Sequence, residues 1–535
     1  MRAHMRPRPQ VLYAAFMTAA ALGAFFALRS PAGAVPADPV SPPPENAPAA
    51  AAPPAAVSPA APPAAPAAGP LESVRIEGVP HVVQKPDFCG EACAEMWLRK
   101  LGKVIDQDEV FVRSGVNPAF GRGCVTRELV AVLRGLGFET GPVWIEAPAA
   151  KAAEAVEAEW RAMHADLAKG IASIVCMRFS DKQASTEHFR LVLGYDAKSD
   201  EILYHEPGDA GGAYARMARA KFLSLWPLGA GTGRAMAIRM RLAPVRLADP
   251  MPKPAGFTAA DYCQHIRALK PKIPKEFTIQ VASPFVVIGD GDSGAVRRSA
   301  DGTVRWAVTR LKKDFFEKDP ERILDVWLFQ NEESYRRHTK AIFNDEPSTP
   351  FGYYSSEHGA LIMNIATGGG TLVHEIVHPF MEANVPGCPT WLNEGLGSLF
   401  EQCGDRDGHM IGATNWRLAG LQKAIREKRV PTFEALCGLN ARDFYEKDRG
   451  TNYGQARYLC FYLQESGLLL KFWKEFLAAR DDDPSGFKTL QRVLGETDMA
   501  DFQKAWADYT LSLEFPPRRF YPPPAREKAK AADPR

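Results

Sequence analysis

The stretch that most restricts the fold is His374-Glu375-Ile376-Val377-His378, followed by Trp391-Leu392-Asn393-Glu394-Gly395. Histidines four residues apart share one face of an α-helix, so both imidazoles can reach one ion while Glu375 stands beside it. A third ligand is needed. Glu394, sixteen residues after His378 and in what reads as a second short helix, is the best placed. Two imidazoles and a carboxylate with an open fourth position suit zinc (Zn2+) more than calcium or magnesium. The competing reading is two surface histidines on an amphipathic helix, and the WLNEG segment downstream weighs against it.

Composition bounds the rest. At 535 residues the chain is long enough for two or three domains, and 46% hydrophobic with 24% charged residues is ordinary for a globular protein. A net charge of +2, with no basic stripe interleaved with aromatics, gives no physical case for nucleic acid as a partner.

Arg2, Arg6 and Arg8 precede an apolar run at residues 11–28, and Ala32-Gly33-Ala34 offers the small residues a signal peptidase accepts. Cleavage there gives an exported protein, periplasmic or extracellular. An uncleaved membrane anchor through residues 11–28 is the alternative, because the run is also just long enough to span a bilayer. Residues 35–70 are mostly Ala and Pro, cannot bury enough apolar surface to fold, and read as a spacer.

Folded sequence begins near Leu71. Gln84, Cys89-Gly90 and Ala92-Cys93 lead into a helical pattern at 94–101, and a cysteine at a helix start favours the thiolate that a nucleophile needs. Helices near 126–136 and 149–168 follow, then a strand at 171–179. Over residues 74–245 this pattern resembles the C39-like branch of papain-like cysteine peptidases. The resemblance implies that Cys89 is the nucleophile and that Gln84 supplies a side-chain donor to the oxyanion. It also implies that His188, opening the apolar run at 188–195, is the general base. Where that family carries an Asp before a Pro to orient the histidine, this chain has Glu206, a carboxylate with one more methylene.

The nine cysteines are an odd number in a chain that meets an oxidising compartment, and a free nucleophile at Cys89 accounts for one left over. Cys89 paired with Cys124 or Cys93 is the alternative. Cys388 and Cys403 bracket the Glu394 segment, and a bridge between them would pin the third ligand.

A Pro-rich stretch with one short helix at 259–269 reads as the connection between domains. Beyond it come a strand at 277–288, a helix at 304–316, a strand at 323–329 and a helix at 332–342. Residues 351–354 and 360–365 read as the strand region bordering a cleft, with core packing as the alternative. Residues 277–515 resemble gluzincin-type, peptidase MA-like metallopeptidases. That resemblance implies a zinc site with His374, His378 and Glu394 as ligands and Glu375 as the general base. Pro379, directly after His378, should end or kink the helix there. Tyr453 is the phenol to place opposite the metal as an oxyanion donor, with a packed helix tyrosine as the alternative.

The resulting expectation is an α+β multidomain chain. It has a signal peptide or anchor at 1–34, a linker at 35–70, a C39-like domain at 71–247 and a connector at 248–276. A gluzincin-like domain with a mainly helical C-terminal part follows at 277–515, then a Pro-rich tail at 516–535. The expected activity is hydrolysis of peptide or protein substrates. A non-catalytic envelope- or peptide-binding protein is the rival from another class, and hydrolysis of a crosslinked cell-wall peptide the rival substrate. Oligomeric state is left open.

Overall fold

The computed structural model describes residues 71–516 apart from Gln183, Ala230 and Thr232. The 1–34 leader, the 35–70 spacer and all but the first residue of the 516–535 tail lie outside the described residues.

The N-terminal unit is built on an antiparallel sheet. Its strands are β1 (Val74–Arg75), β2 (Trp144–Pro148), β3 (Ser173–Arg178), β4 (Glu187–Asp196), β5 (Glu201–His205), β6 (Ala215–Ala218), β7 (Leu228–Gly229) and β8 (Arg234–Arg241). The order is β2-β8-β3-β4-β5-β6, with β1 beside β4 and β7 beside β8. Helices α1 (Cys89–Lys100), α2 (Thr126–Gly135) and α3 (Ala152–Leu167) pack their apolar positions into one core with it, Trp97, Leu129, Leu133 and Trp160 among them. The first helix begins five residues before the 94–101 pattern, so that Cys89 is its opening residue and Phe88 its buried N-cap.

The connector helix α4 (Ala259–Leu269) carries a Thr258/Asp261 capping box. It lies between two cores: Ala260 and Cys263 belong to the N-terminal one, Tyr262 and Ile266 to the next.

The C-terminal unit centres on a mixed sheet of β9 (Thr278–Ala282), β10 (Phe285–Gly289), β11 (Leu324–Phe329), β12 (Gly352–Ser355) and β13 (Ala360–Asn364), in the order β9-β10-β11-β13-β12. The single strand expected at 277–288 is two, paired antiparallel around Ser283-Pro284, because the proline interrupts an otherwise continuous apolar run. Strands β10, β11 and β13 run parallel and are buried along their whole length. Period-2 alternation sends Val287, Val326, Leu328, Leu361 and Met363 to one face and Val286, Ile288, Trp327, Phe329 and Ile362 to the other. Ser293–Ser299, a π-helical turn at Ala300–Arg305, and α5 (Trp306–Asp314) form one helical run, longer than the expected 304–316 segment.

Helix α6 (Glu332–Phe343), through Tyr335, packs on the second face together with α4. Helix α7 (Gly370–Asn384) covers the first, through Leu372, Val373, Ile376, Val377, Phe380 and Met381. Each of the fully buried Leu, Ile and Phe side chains in that set stabilises the packing by about 1.5–3 kcal/mol. That explains why α7 runs through Pro379, which lies inside it, instead of stopping there. The lost hydrogen bond costs less than unpacking Phe380 and Met381 would.

Helix α8 (Thr390–Phe400) packs on α7 and, more extensively, on the long buried helix of the C-terminal part. A hairpin of β14 (Cys403–Arg406) and β15 (His409–Gly412) leads to α9 (Arg417–Arg426), α10 (Ala441–Glu446) and that long helix, α11 (Arg449–Glu465). All nine cysteines are free thiols. The Cys388–Cys403 bridge is not formed: the eleven-residue α8 stands between the two and sets them about 16 Å apart at 1.5 Å per residue, well beyond disulfide reach. Among the described residues no helix is long and apolar enough to cross a membrane.

Candidate functional site

Helices α7 and α8 bring three side chains together: ligand atoms of His374, His378 and Glu394 all lie within 4.8 Å of one another. The orientation is specific. His374 Nε2 faces Glu394 Oε2 at 3.3 Å, and His378 Nε2 faces Glu394 Oε1 at 4.0 Å. The other ring nitrogens point away from the cluster, Nδ1 of His378 to Asn393 Oδ1 at 3.0 Å and Nδ1 of His374 to Glu401 Oε1 at 3.2 Å. The Asn393 contact fixes which nitrogen of His378 is left for an ion. Glu401 is itself gripped by Arg417, at 2.6 and 2.9 Å, and by Asn415 at 3.1 Å.

Gly397 lets α8 approach α7 closely, and Gly395 lets it approach α11. A Cβ on Gly397 would stand 3.2–3.3 Å from the His374 ring, and one on Gly395 would stand 3.0 Å from the Ala456 carbonyl. His374 and Glu394 are closed off, with side chains 7% and 4% exposed, whereas His378 at 15% and Glu375 at 14% are more accessible. Glu375 Oε2 is 3.9 Å from His378 Nε2.

The electrostatics favour a cation. Glu394 Oε2 is buried and, among the described residues, accepts no hydrogen bond. Burial raises the Glu375 pKa, with the neighbouring histidines working against it. For Glu394 burial is outweighed by His378 and His374, which bring it down to about 2. For His374 burial is outweighed by Glu394 and Glu401, which lift it to about 10. Two imidazoles and a carboxylate of this arrangement fit zinc.

Two phenols stand at Glu394. Tyr445, half-buried on α10, donates to Glu394 Oε1 at 2.5 Å. Tyr453, the residue singled out from sequence, is 8% exposed, with Arg417 and Arg449 at 4.8 and 5.7 Å from its ring centre. The edge of the sheet on the α7 side is β12, with β13 inside it.

In the N-terminal unit, His188 is the second residue of β4 and turns Nε2 to Glu206 Oε1, leaving Nδ1 as the nitrogen available to a thiol. Glu206 also accepts from Arg190 Nε at 2.7 Å and from the Gly208 N–H at 3.1 Å. Burial opposes its ionisation, but His188 and Arg190 hold its pKa below the usual value. The Phe179 ring stands edge-on to His188 at 5.1 Å. Gln84 is tied by its N–H to the Pro207 carbonyl, and its buried Oε1 has no hydrogen-bond partner among the described residues. A Cβ on Gly208 would lie 3.3–3.7 Å from Glu206, Gln84 and His188 at once, so these three side chains converge on one point.

The first turn of α1 packs on β4, where a Cβ on Gly90 would touch the Phe189 ring at 3.1 Å. Cys89 differs from expectation in its ionisation. Burial pushes the thiol up to about 11, against the hydrogen bond from the Phe189 N–H, and Glu91 adds to the rise. Glu91 is itself buried, accepts from the Cys124 N–H at 2.6 Å, and has a carboxyl raised by burial to about 7.

Several working residues escape a motif reading. Arg190 falls two residues after His188 and so shares its face of the strand, a signal present in the sequence. Glu401, Arg417, Asn415 and Tyr445 are joined to the site only by tertiary packing.

No curated protein matches the chain. Residues 76–231 match the model of the Peptidase_C39 like family, so this part of the chain is similar to C39-like peptidase domains.

Proposed function

We propose that the chain is an exported peptidase with two chemically unrelated sites, a zinc-dependent one of gluzincin type in the C-terminal unit and a Cys89/His188 one in the N-terminal unit. The observation that carries the first is the convergence of His374, His378 and Glu394 with both Nε2 atoms turned inward. The family match at 76–231 supports the second. The basic, apolar and small-residue pattern at 1–34 supports export.

His374 Nε2, His378 Nε2 and the Glu394 carboxylate would hold the metal. Zinc supplies Lewis acidity, making water more acidic and polarising a scissile carbonyl. Glu375, its carboxyl raised by burial, takes the proton of the attacking water and returns it to the leaving amine. The Tyr445 hydroxyl is the donor for the developing oxyanion. An extended peptide can pair with the backbone of edge strand β12. In the N-terminal unit the Cys89 thiol attacks the carbonyl and hands its proton to His188, whose orientation Glu206 fixes, while the Gln84 amide donates to the oxyanion.

The burial that keeps the Cys89 thiol protonated favours a second reading for this unit alone, peptide binding without turnover.

Hydrolysis of labelled casein by the full chain tests the assignment. Phenanthroline should remove the metal-dependent share and iodoacetamide the Cys89 share. Loss to phenanthroline alone selects the binding role for the N-terminal unit, and hydrolysis that survives both reagents contradicts the proposal.

A further inference from the structure

The loop that presents Cys89 is held from outside the segment that matches the peptidase family. Two residues before Cys89, Asp87 takes a left-handed backbone conformation, φ +63°. Inside the N-terminal unit this loop is tied by Gln107, which accepts from the Lys85 N–H at 2.7 Å and donates to the Val83 carbonyl at 3.2 Å. Its other side is tied by α4. Gln264 Nε2 donates to the Pro86 carbonyl at 3.0 Å, and Arg267 Nε to Asp87 Oδ2 at 2.6 Å.

The same helix and the residue that caps it grip the neighbouring loop, with Cys263 Sγ donating to the Arg122 carbonyl at 3.4 Å and Lys270 to the Phe120 carbonyl. Gly121, at φ +52°, permits that contact, since a Cβ there would stand 2.9 Å from Ile266 Cγ2. The two loops also interlock, for a Cβ on Gly123 would collide with the Asp87 carbonyl at 2.0 Å. Helix α4 is in turn anchored to the C-terminal unit by His265, whose Nε2 meets Asp325 Oδ1 at 2.8 Å, and by Tyr262 and Ile266 in that core.

We propose that α4 is a working part of the first site: Gln264 and Arg267 are positioning residues that fix the Pro86–Asp87 turn and thereby the sulfur of Cys89 relative to His188. The ion pair alone is half-exposed and would be worth little, so the clamp acts as a set. Arg267 also neutralises a carboxylate two residues from the thiol; left unpaired, Asp87 would disfavour the thiolate. The other groups around Cys89 that bear on its charge are Glu91 on its own helix, His188 with Glu206 and Arg190 on the sheet, and the thiols of Cys93 and Cys176. None of these is changed by substituting α4.

The inference rests on reading Cys89 as the nucleophile, and its test is independent of turnover. Site-resolved alkylation of the full chain by iodoacetamide is followed against pH, with Cys388 as internal control. Gln264→Leu/Arg267→Met should slow Cys89 about fivefold at near-neutral pH. It should also move its alkylation midpoint upward and leave Cys388 and the melting temperature unchanged. Arg267→Lys with Gln264 intact should stay near wild type, and adding Asp87→Asn to the double variant should restore part of the rate, outcomes that general loosening would not produce. A Cys89 profile unaltered by the double substitution, or a Cys89 silent in every variant, overturns the clamp. Casein hydrolysis untouched by Cys89→Ser would instead overturn the nucleophile reading and leave the clamp measurement standing.

Discussion

Two tyrosines reach Glu394, and their burial separates their roles. Tyr445 is half-buried and its hydroxyl donates to Glu394 Oε1, which sets it beside the proposed metal ligands. Tyr453 is buried, with Arg417 and Arg449 against its ring. Tyr445→Phe should therefore lower metal-dependent turnover by about tenfold to a hundredfold with little change in KM, while Tyr453→Phe should act mainly on thermal stability; steady-state kinetics with calorimetry distinguishes them. In the N-terminal unit Glu91 makes stability depend on pH. Its folded pKa is raised by burial from an ordinary 4.5 to about 7. Between those values the folded chain keeps a proton that the unfolded chain has released. The contribution is thus present in full below about 4.5 and lost as pH rises through about 7. Glu91→Gln retains an acceptor for the Cys124 N–H and removes the charge. Its melting temperature should fall less than that of wild type between those two pH values, and a parallel fall would contradict the assignment.

Helices α7 and α8 bring the proposed metal ligands together at a close contact that Gly397 permits. Gly397→Ala is a sharp probe: alanine favours the helix by about 1 kcal/mol, yet its Cβ would crowd the His374 ring at 3.2–3.3 Å. The variant should keep its melting temperature without metal and lose about tenfold in zinc affinity, measured by competition with a chelating dye. Such local relations were legible in the sequence wherever spacing alone decides them. The i, i+4 histidines share a face of α7, and the runs 324–329 and 360–364 are buried strands. What spacing does not encode was missed. The β9–β10 hairpin hides inside one apolar run, and the continuation of α7 past Pro379 depends on the packing of Phe380 and Met381. Glu401, Asn415 and Arg417 come from the end of α8, the loop after β15 and the start of α9, so their meeting at His374 is a product of tertiary structure.

Across the whole chain, the sheets of the two units are joined through α4, whose residues enter the core on each side. That intimacy explains why a connector that reads in sequence as a Pro-rich stretch with one short helix is a packed element of the structure. It also places the two proposed chemistries in one molecule while leaving them independent, since no residue of one cluster contributes to the other. The account rests most heavily on the C-terminal cluster acting as a hydrolytic metal site. Its most direct test is casein hydrolysis by the full chain and its Glu375→Gln variant, with cysteines alkylated and zinc content determined on the same samples. One zinc per chain in both proteins, with hydrolysis lost in the variant by a factor of about a hundred or more, is the predicted result. Equal hydrolysis by the two proteins at equal zinc content would contradict it.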